Sequence, residues 1–398
     1  MSFELFSMWH TLDEFDVSEK RVFWRVDFNV PLGRDGEVGQ FEDWRMAAAL
    51  PTLDELLRRG ARVIVASHLG EPDAPDPRWS LAPVARHLAK LTGRRVAFTG
   101  EITGPEVASA ARALEPGGIL MLENVRFAPG EAANDPRFAE ALAALAQQYV
   151  SDAFGTAHRD HASLTRVAGL MPAAAGELMV AEVTQLTDFL ERPRRPAVVV
   201  FGGAKAEAKL PALARLLPVV DQMLVGGVLA NTLRARRGLS VGSSPVAKDA
   251  FDALGELDQY AEKILLPVDG QVAVPGSSGT AGRTVTLEAI QAGEAIYDIG
   301  PETARRYGDV LAHAGSVLWN GPVGVIEEAS YGLGTKRIAQ AIDPERTAAV
   351  VGGGDTVTFL KRENLLGRFR HVSTGGGAML EFFAGNHLPV LEALGYYS

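Results

Sequence analysis

Charged and polar side chains gather where short apolar segments end in the first half of the chain. Asp27 and Asn29 alternate in "RVDFNVP", Arg126 closes "LENVRF", and His158 and Arg159 close "DAFGTAHR". Alternate residues of a strand face the same way, and the carboxyl ends of parallel strands meet at one edge of a sheet. Arginine binds phosphate and carboxylate groups through paired N–H donors. Arginines at neighbouring strand ends therefore predict a site for a small anion.

Glycine clusters end the corresponding segments of the second half. Gly352–Asp355 ("GGGD") and Thr374–Gly377 ("TGGG") each follow a predicted strand and precede a predicted helix. Glycine lets backbone N–H groups approach a phosphate closely, and the N-terminus of the next helix favours negative charge. Neither cluster matches a Walker A or a dinucleotide-binding motif, and each alone is compatible with a plain tight turn. Two clusters in one half favour phosphate binding, with Asp355 placed for a metal ion.

Two lysines and one acid extend this second site. Lys205 and Lys209 stand four residues apart in "FGGAKAEAK", and we expect them on one face of a helix that begins there. Lysines aimed at polyphosphate neutralise charge during phosphoryl transfer; the alternative is two solvated helix lysines. Glu327 in "WNGPVGVIEE" is either a ligand of ribose hydroxyls or a surface acid.

Composition sets the limits of the function. The 398 residues suit two domains of about 200 residues each. The formal net charge of −10 argues against nucleic-acid or anionic-membrane partners, and the absence of Cys excludes disulfides, thiolate metal sites and a Cys nucleophile. The first residues do not form a secretory signal, and no apolar run approaches the roughly 20 residues of a membrane span. We expect a cytoplasmic protein.

Short, nearly continuous apolar runs alternate with segments of helical period along the whole chain. Five runs precede residue 155 and seven follow residue 196, from "AVVVFGG" through "KILLPVDG" and "AIYDIG" to "FRHVSTGGG". Such runs are typical of strands buried on both faces of a parallel sheet, and their alternation with helices predicts an α/β fold. We predict two doubly wound, Rossmann-like parallel-sheet domains joined by a hinge helix in "GELMVAEVTQLTDFLERPRRP".

The order of these motifs resembles that of the phosphoglycerate kinase family. "RVDFNVPL", "SHLG", "MLENVRF", "DAFGTAHR", "GGAK", "WNGPVGV", "GGGD" and "STGGGA" are collinear with that family over roughly residues 20 to 390. The resemblance implies a phosphotransferase with a carboxyl group as acceptor, built from two domains that close about a hinge. It implies a 3-phosphoglycerate domain at 1–177 with the tail 388–398 packed on it, a hinge at 178–195 and a nucleotide domain at 196–387. We expect small-molecule partners and a monomer.

The first half is implied to hold the acceptor. The residues implied to contact 3-phosphoglycerate are Asp27, Asn29, Arg45, His68, Arg126, Arg159 and, as an additional candidate, Arg166. Asp27 and Asn29 are implied near its C2 hydroxyl, and the C3 phosphate lies among His68 and the later arginines. Arg45, which opens a helix in "EDWRMAAALPT", is implied to bridge the carboxylate and the transferred phosphoryl group and is therefore catalytic.

The second half is implied to hold ATP or ADP with Mg²⁺. The implied nucleotide residues are Gly203, Lys205, Lys209, Gly227, Asn320, Pro322, Glu327, Gly352, Gly353, Gly354, Asp355 and Thr356. Lys205 is implied to follow the transferred group, and Asp355 to hold Mg²⁺. Backbone N–H groups offered to the transition state are implied for Gly375, Gly376 and Gly377. No general base is required, because the accepting carboxylate is already ionised at neutral pH.

Some positions depart from the family pattern. Glu71 stands where the motif "SHLG" continues with Arg in the family, Arg166 replaces a Gly, and Asp160 replaces a small residue. Either Arg166 supplies the lost positive charge, with Glu71 turned outward or paired to it, or the pocket accepts another anion. Val228 replaces a third Gly and narrows the expected base pocket, and Trp44 is bulky enough to constrain Arg45.

Three functions follow from these features. The first is transfer of a phosphoryl group between 1,3-bisphosphoglycerate and ADP. The second is the same chemistry on a different small carboxylate. The third is nucleotide binding without catalysis, against which the retention of Arg45, Lys205 and Asp355 argues.

Overall fold

The computed structural model describes residues 9–276 and 282–397. By its internal contacts the chain divides into two compact units. Unit 1 runs to Val183 and takes up the chain again from His387, whereas unit 2 runs from Thr184 to Asn386.

Fifteen strands are present in the described part of the chain. They are β1 Arg21–Arg25, β2 Arg62–Ala66, β3 Val96–Phe98, β4 Ile119–Met121, β5 Gln148–Ser151, β6 Ala173–Ala175, β7 Ala197–Phe201, β8 Gln222–Val225, β9 Ile264–Leu265, β10 Asp269–Ala273, β11 Arg283–Thr286, β12 Ala295–Ile299, β13 Ser316–Asn320, β14 Ala348–Gly352 and β15 His371–Ser373.

Fourteen α-helices accompany these strands over the same described residues. They are α1 Trp44–Arg58, α2 Ala82–Thr92, α3 Pro105–Ala113, α4 Pro129–Ala132, α5 Pro136–Ala143, α6 Glu177–Glu191, α7 Leu210–Leu216, α8 Gly227–Arg236, α9 Phe251–Gly255, α10 Pro301–Ala312, α11 Leu333–Gln340, α12 Gly354–Arg362, α13 Gly376–Ala384 and α14 Pro389–Ala393.

Unit 1 is built on a six-stranded parallel sheet in the order β3-β4-β2-β1-β5-β6. The central strand β1 is buried along four of its five residues, and β2 follows the same pattern. Val22 and Trp24 lie in one hydrophobic core with Val63 and Val65. These strands therefore bury both faces, as their continuous apolar sequences predict.

Unit 2 contains a second six-stranded parallel sheet in the order β15-β14-β13-β7-β8-β9. The two parallel sheets confirm the predicted α/β class with two parallel-sheet domains. The chain tail lies in unit 1, where the Val390 N–H donates to the Ala157 carbonyl at 3.2 Å and the rings of Trp9 and Tyr396 meet at 5.2 Å.

One predicted strand lies in a different sheet. "AIYDIG" was predicted to end a strand of the parallel sheet, but it forms β12, which pairs antiparallel with β10 in a three-stranded sheet β11-β10-β12. Strand β11 exposes three of its four residues. A sheet that leaves one face in water is typically antiparallel, and the prediction from apolar content alone was wrong here.

No helix in the described ranges is long and apolar enough to cross a membrane.

Candidate active site

Arg45 is fixed at the start of helix α1 by groups that follow strand β1. Its Nη1 donates to Asp27 Oδ2 and to the Asn29 carbonyl, both at 3.2 Å. Asn29 Oδ1 in turn accepts from the Gly70 N–H at 2.9 Å. The segment after β1, itself held by Gly70, thus positions the guanidinium group of Arg45.

The Trp44 ring, expected to constrain Arg45, lies against its guanidinium group. The Arg45 Cζ lies 5.2 Å from the centre of the Trp44 ring, and Trp44 is buried. A guanidinium over an indole face is attracted by the ring electrons. The bulky neighbour therefore limits the directions available to Arg45.

His68 is a buried, neutral group at the end of strand β2. It is 1% exposed, its Nε2 lies 3.9 Å from Asp27 Oδ1, and its Nδ1 has no hydrogen-bond partner in the described part of the chain. Burial, followed by the charges of Arg25, Arg126, Arg45 and Arg159, holds the His68 pKa well below its usual value. A neutral imidazole carries one N–H, which is suited to a phosphate oxygen.

The Glu71 carboxylate contacts Arg126 and Arg159, two of the arginines expected to bind the anion. Its Oε1 accepts from Arg159 Nη2 at 2.5 Å and lies 3.5 Å from Arg126 Nη1. Hydrogen bonding from Arg159 lowers the Glu71 pKa. Arg126 also donates to the Gly70 carbonyl, and burial, followed by the charge of Arg159, lowers its pKa to about 10. The two guanidinium groups crowd each other, which is typical of a site for negative charge.

Arg166 is not paired with Glu71, which was one of the alternatives that the sequence left open. Its Nε donates to the carbonyl and to Oδ1 of Asn134, at 2.8 and 3.0 Å. Asp160 Oδ1 accepts from Asn134 Nδ2 at 2.7 Å and from the Thr165 hydroxyl. Arg166 and Asp160 therefore both hold the turn at Asn134, whose positive φ of 50° needs such support.

Two residues beside this cluster were missed by sequence reasoning. Arg25 is 1% exposed; its Nε donates to Ser163 Oγ at 2.8 Å, and its Nη1 donates to the Val26 carbonyl. His161 lies 3.8 Å from Glu131 Oε1, and burial, followed by the charge of Arg126, lowers its pKa to about 4. For Arg25, the available signal was an arginine at the carboxyl end of the strand "RVFWR".

Unit 2 contains a cavity of about 250 Å³ with a mainly apolar wall. Five of the predicted nucleotide residues line it: Gly203, Gly227, Pro322, Glu327 and Asp355. Val228, the departure expected to narrow a base pocket, also lines this wall. A mostly apolar cavity with a few polar groups at its edge suits an aromatic base with attached sugar and phosphates.

Glycines at the ends of β7 and β8 allow a close crossing of the backbone. The Gly203 N–H donates to the Pro322 carbonyl at 2.7 Å, and the Val228 N–H donates to the Gly203 carbonyl at 3.0 Å. Gly227 has a φ of +57°, and a Cβ there would lie 2.6 Å from the Gly203 carbonyl oxygen. Only glycine fits this approach.

The prediction that Lys205 and Lys209 share one face of a helix is wrong, because both precede helix α7. Helix α7 begins at Leu210, with Pro211 in its first turn, where a missing N–H costs nothing. Lys205 precedes it in a loop, and Lys209 ends the 3-10 turn Glu207–Lys209. Lys209 Nζ donates to the Lys205 carbonyl at 3.3 Å. Burial, and then the charge of Lys205, lowers the Lys209 pKa to about 8.

The glycine clusters lie at helix N-termini, as the sequence predicts. Gly352 ends β14, Gly353 has a φ of +99°, and Gly354 begins α12. Gly376 begins α13 after β15. The first N–H groups of a helix have no partner within it, and both ends are therefore suited to anionic oxygens. Asn320 ends β13 and pairs with Phe201 and Gly352 on the neighbouring strands.

The residues around Asp355 fit Mg²⁺ bound together with phosphate. Asp355 lies in the first turn of α12, and the buried Thr356 Oγ1 beside it has no partner in the described ranges. Those ranges contain no group of three His, Cys, Asp or Glu side chains able to hold a metal. Protein Mg²⁺ sites commonly use one or two carboxylates, with substrate phosphates completing the shell.

Comparison with known proteins assigns the chain to one family. The fold is that of a two-domain α/β protein, and the family model for phosphoglycerate kinase matches residues 12–386. The phosphoglycerate kinase of Desulforudis audaxviator is 46% identical over 96% of this chain and 98% of its own length; that of Thermomicrobium roseum is also 46% identical, over 96% and 98%. The chain belongs to the phosphoglycerate kinase family.

Solved structures agree with this assignment. Phosphoglycerate kinase from Coxiella burnetii superposes with a TM-score of 0.82 at 38% identity, covering 97% of this chain and 99% of that one. The enzyme from Pyrococcus horikoshii OT3 gives a TM-score of 0.87 at 32% identity, with coverages of 97% and 98%.

Proposed function

We propose that this chain catalyses reversible phosphoryl transfer between 1,3-bisphosphoglycerate and ADP, giving 3-phosphoglycerate and ATP. The observation that carries the proposal is the match to phosphoglycerate kinase along residues 12–386. The acceptor in the direction away from ATP is a carboxylate, which makes the enzyme a phosphotransferase of the carboxyl-accepting type.

Unit 1 is the proposed acceptor domain. Arg126, Arg159 and the neutral His68 offer donors to the C3 phosphate, while Asp27 and Asn29 lie beside Arg45 at the end of strand β1. The fixed Arg45 is the group proposed to contact both the carboxylate and the transferred phosphoryl group. Pre-positioned donors of this kind lower the barrier because they need no rearrangement as charge develops.

Unit 2 is the proposed nucleotide domain. The cavity takes the base and ribose, with Glu327 toward the ribose hydroxyls, and Lys205 and Lys209 neutralise phosphate charge. N–H groups of Gly375, Gly376 and Gly377 are proposed to contact the transferred group. Asp355, with Thr356 nearby, would hold Mg²⁺, which would supply charge neutralisation on the nucleotide phosphates.

The residues need no general base. The proposed nucleophile is ionised at neutral pH, so alignment, exclusion of water and charge neutralisation remain as the catalytic tasks. His68 accordingly serves as a hydrogen-bond donor to substrate, and its depressed pKa keeps it neutral at working pH.

A coupled spectrophotometric assay with ATP, Mg²⁺ and 3-phosphoglycerate tests the proposal. We expect turnover that depends on all three components. Absence of turnover by a protein that is folded by circular dichroism and binds ATP would contradict it.

A second candidate is kinase chemistry on a different small carboxylate. The observation that favours it is Glu71, which places negative charge 2.5 Å from Arg159 in the proposed phosphate site. ATP consumption measured across a panel of small carboxylic acids separates the two, and a preference for 3-phosphoglycerate excludes this candidate.

A further inference from the structure

Glu71 makes its only described side-chain contacts with groups of the proposed phosphate site. Its carboxylate lies 2.5 Å from Arg159 Nη2 and 3.5 Å from Arg126 Nη1. The Arg159 and Glu71 side chains are 36% and 67% exposed, whereas that of Arg126 is 9% exposed. A carboxylate therefore reaches from the mouth of the site onto a largely buried guanidinium group.

Positive charge exceeds negative charge around His68, which favours binding of a dianion. Burial, and then the positive charges of four arginines, lower the pKa of His68; the four are Arg25, Arg45, Arg126 and Arg159. Asp27 is paired with Arg45, and Arg25 binds Ser163 and a backbone carbonyl, with no acid among its described partners. Among the described ion pairs, Glu71 is the only acid bound to Arg126 and Arg159, and without it their mutual repulsion in a partly buried site would be unfavourable.

We propose that Glu71 is an internal competitor for the substrate phosphate: it occupies Arg126 and Arg159 in the empty site and is displaced when phosphate binds, and so sets the affinity for the acceptor. The inference rests on the proposed function of unit 1 as the acceptor domain. A phosphate dianion carries more charge and more acceptor oxygens than one carboxylate, so it displaces Glu71 when both compete for the same guanidinium groups.

The exposed position of Glu71 makes this exchange inexpensive. Most of the Glu71 side chain is already in water, and an exposed ion pair contributes little stability, so releasing the carboxylate costs little. Gly70, with a φ of +62°, fixes the preceding backbone through its N–H bond to Asn29. The exchange therefore needs a side-chain rotation and no change in the turn.

The test compares Glu71→Gln with Glu37→Gln in the full chain. Glu37 is a matched control because it pairs with Arg86 at the same 2.5 Å in unit 1, outside the proposed site. Calorimetry gives Kd for 3-phosphoglycerate and for inorganic phosphate, and steady-state kinetics gives KM and kcat. For Glu71→Gln we expect Kd for both anions and KM for 3-phosphoglycerate to fall about three- to tenfold. We expect kcat to change less than about twofold, and Glu37→Gln to match the unsubstituted protein.

Each outcome decides a separate question. Equal or weaker anion binding by Glu71→Gln, in a protein that melts normally, overturns the inference and leaves the proposed function intact if 3-phosphoglycerate still turns over. Tighter binding of inorganic phosphate, without turnover of 3-phosphoglycerate by either protein, supports the competitor role and contradicts the proposed substrate. Glu71→Ala provides a second variant and is expected to shift both Kd values in the same direction.

Discussion

Lys209 illustrates how burial sets the charge of a single site residue. Its pKa in the free protein is lowered to about 8, whereas a bound phosphate favours the ammonium form and raises that pKa. Nucleotide binding therefore takes up a proton at alkaline pH. We expect affinity for ADP to weaken above pH 8, by up to about tenfold per pH unit.

Calorimetric Kd values for ADP between about pH 7 and about pH 9.5 test this expectation. Lys209→Arg is the control, because arginine keeps its charge throughout that range, and its Kd should show no such slope. The same slope in both proteins would assign the titration to another group.

Arg45 is the residue whose loss should separate catalysis from nucleotide binding. It is held by Asp27, Asn29 and Trp44 and is proposed to contact the transferred group. We expect Arg45→Ala to lower kcat by about 10²- to 10³-fold and to leave Kd for ADP within about twofold. Arg58→Ala, on the exposed end of the same helix and paired with Glu55, is the control. Comparable losses of kcat and ADP affinity would show a general structural role for Arg45.

The residue types of the site were predictable, but several partners were not. Arg126 and Arg159 were singled out because each follows a predicted strand, but the structure places Arg126 in the 3-10 turn Val125–Phe127 and Arg159 well beyond the end of β5 at Ser151. Glu71 forms its hydrogen bond with Arg159, 88 positions away. Arg166 binds Asn134 and not Glu71. Such choices depend on the path of the chain between the partners. Arg25 escaped notice because an arginine ending an apolar strand is more often structural.

At the scale of elements, the close crossing at Gly227 joins the start of α8 to the loop after β7. A Cβ at Gly227 meets the Gly203 carbonyl at 2.6 Å, whereas Gly238, at the other end of the helix, has a similar positive φ and no atom within 4 Å. We expect Gly238→Ala to cost about 1 kcal/mol of unfolding free energy from backbone strain alone, and Gly227→Ala at least about 2 kcal/mol more.

Urea denaturation followed by tryptophan fluorescence measures both variants. Gly227→Ala should also weaken ADP binding because it displaces Gly203, which lines the cavity. Equal unfolding costs for the two variants would show that the loop after β7 yields without strain.

Elements were predictable where both faces of a strand are buried. Continuous apolar runs such as "AVVVF" predict β7 correctly because no polar residue is tolerated on either face. The antiparallel sheet was assigned wrongly because "AIYDI" is also apolar, and its pairing depends on β10 and on the exposed β11. The helix after Lys205 begins later than predicted, at Leu210, because Pro211 favours the first turn of a helix.

For the whole molecule, we propose that unit 1 binds the acceptor and unit 2 binds the nucleotide. We expect Arg126→Ala to raise KM for 3-phosphoglycerate by at least about tenfold with little change in Kd for ADP. Asp355→Ala should weaken Mg²⁺-dependent nucleotide binding and leave Kd for 3-phosphoglycerate unchanged. Calorimetry with each ligand separately measures both, and crossed effects would contradict the division.

We propose that Arg45 of unit 1 and Lys205 of unit 2 both act in the phosphoryl-transfer step. A double-mutant cycle of kcat with Arg45→Ala, Lys205→Ala and the double variant tests this claim most directly. Groups that stabilise one transition state together are not additive, so the double variant should lose less than the product of the single losses, by about tenfold or more. A loss equal to that product would show that the two residues act independently and would contradict the account.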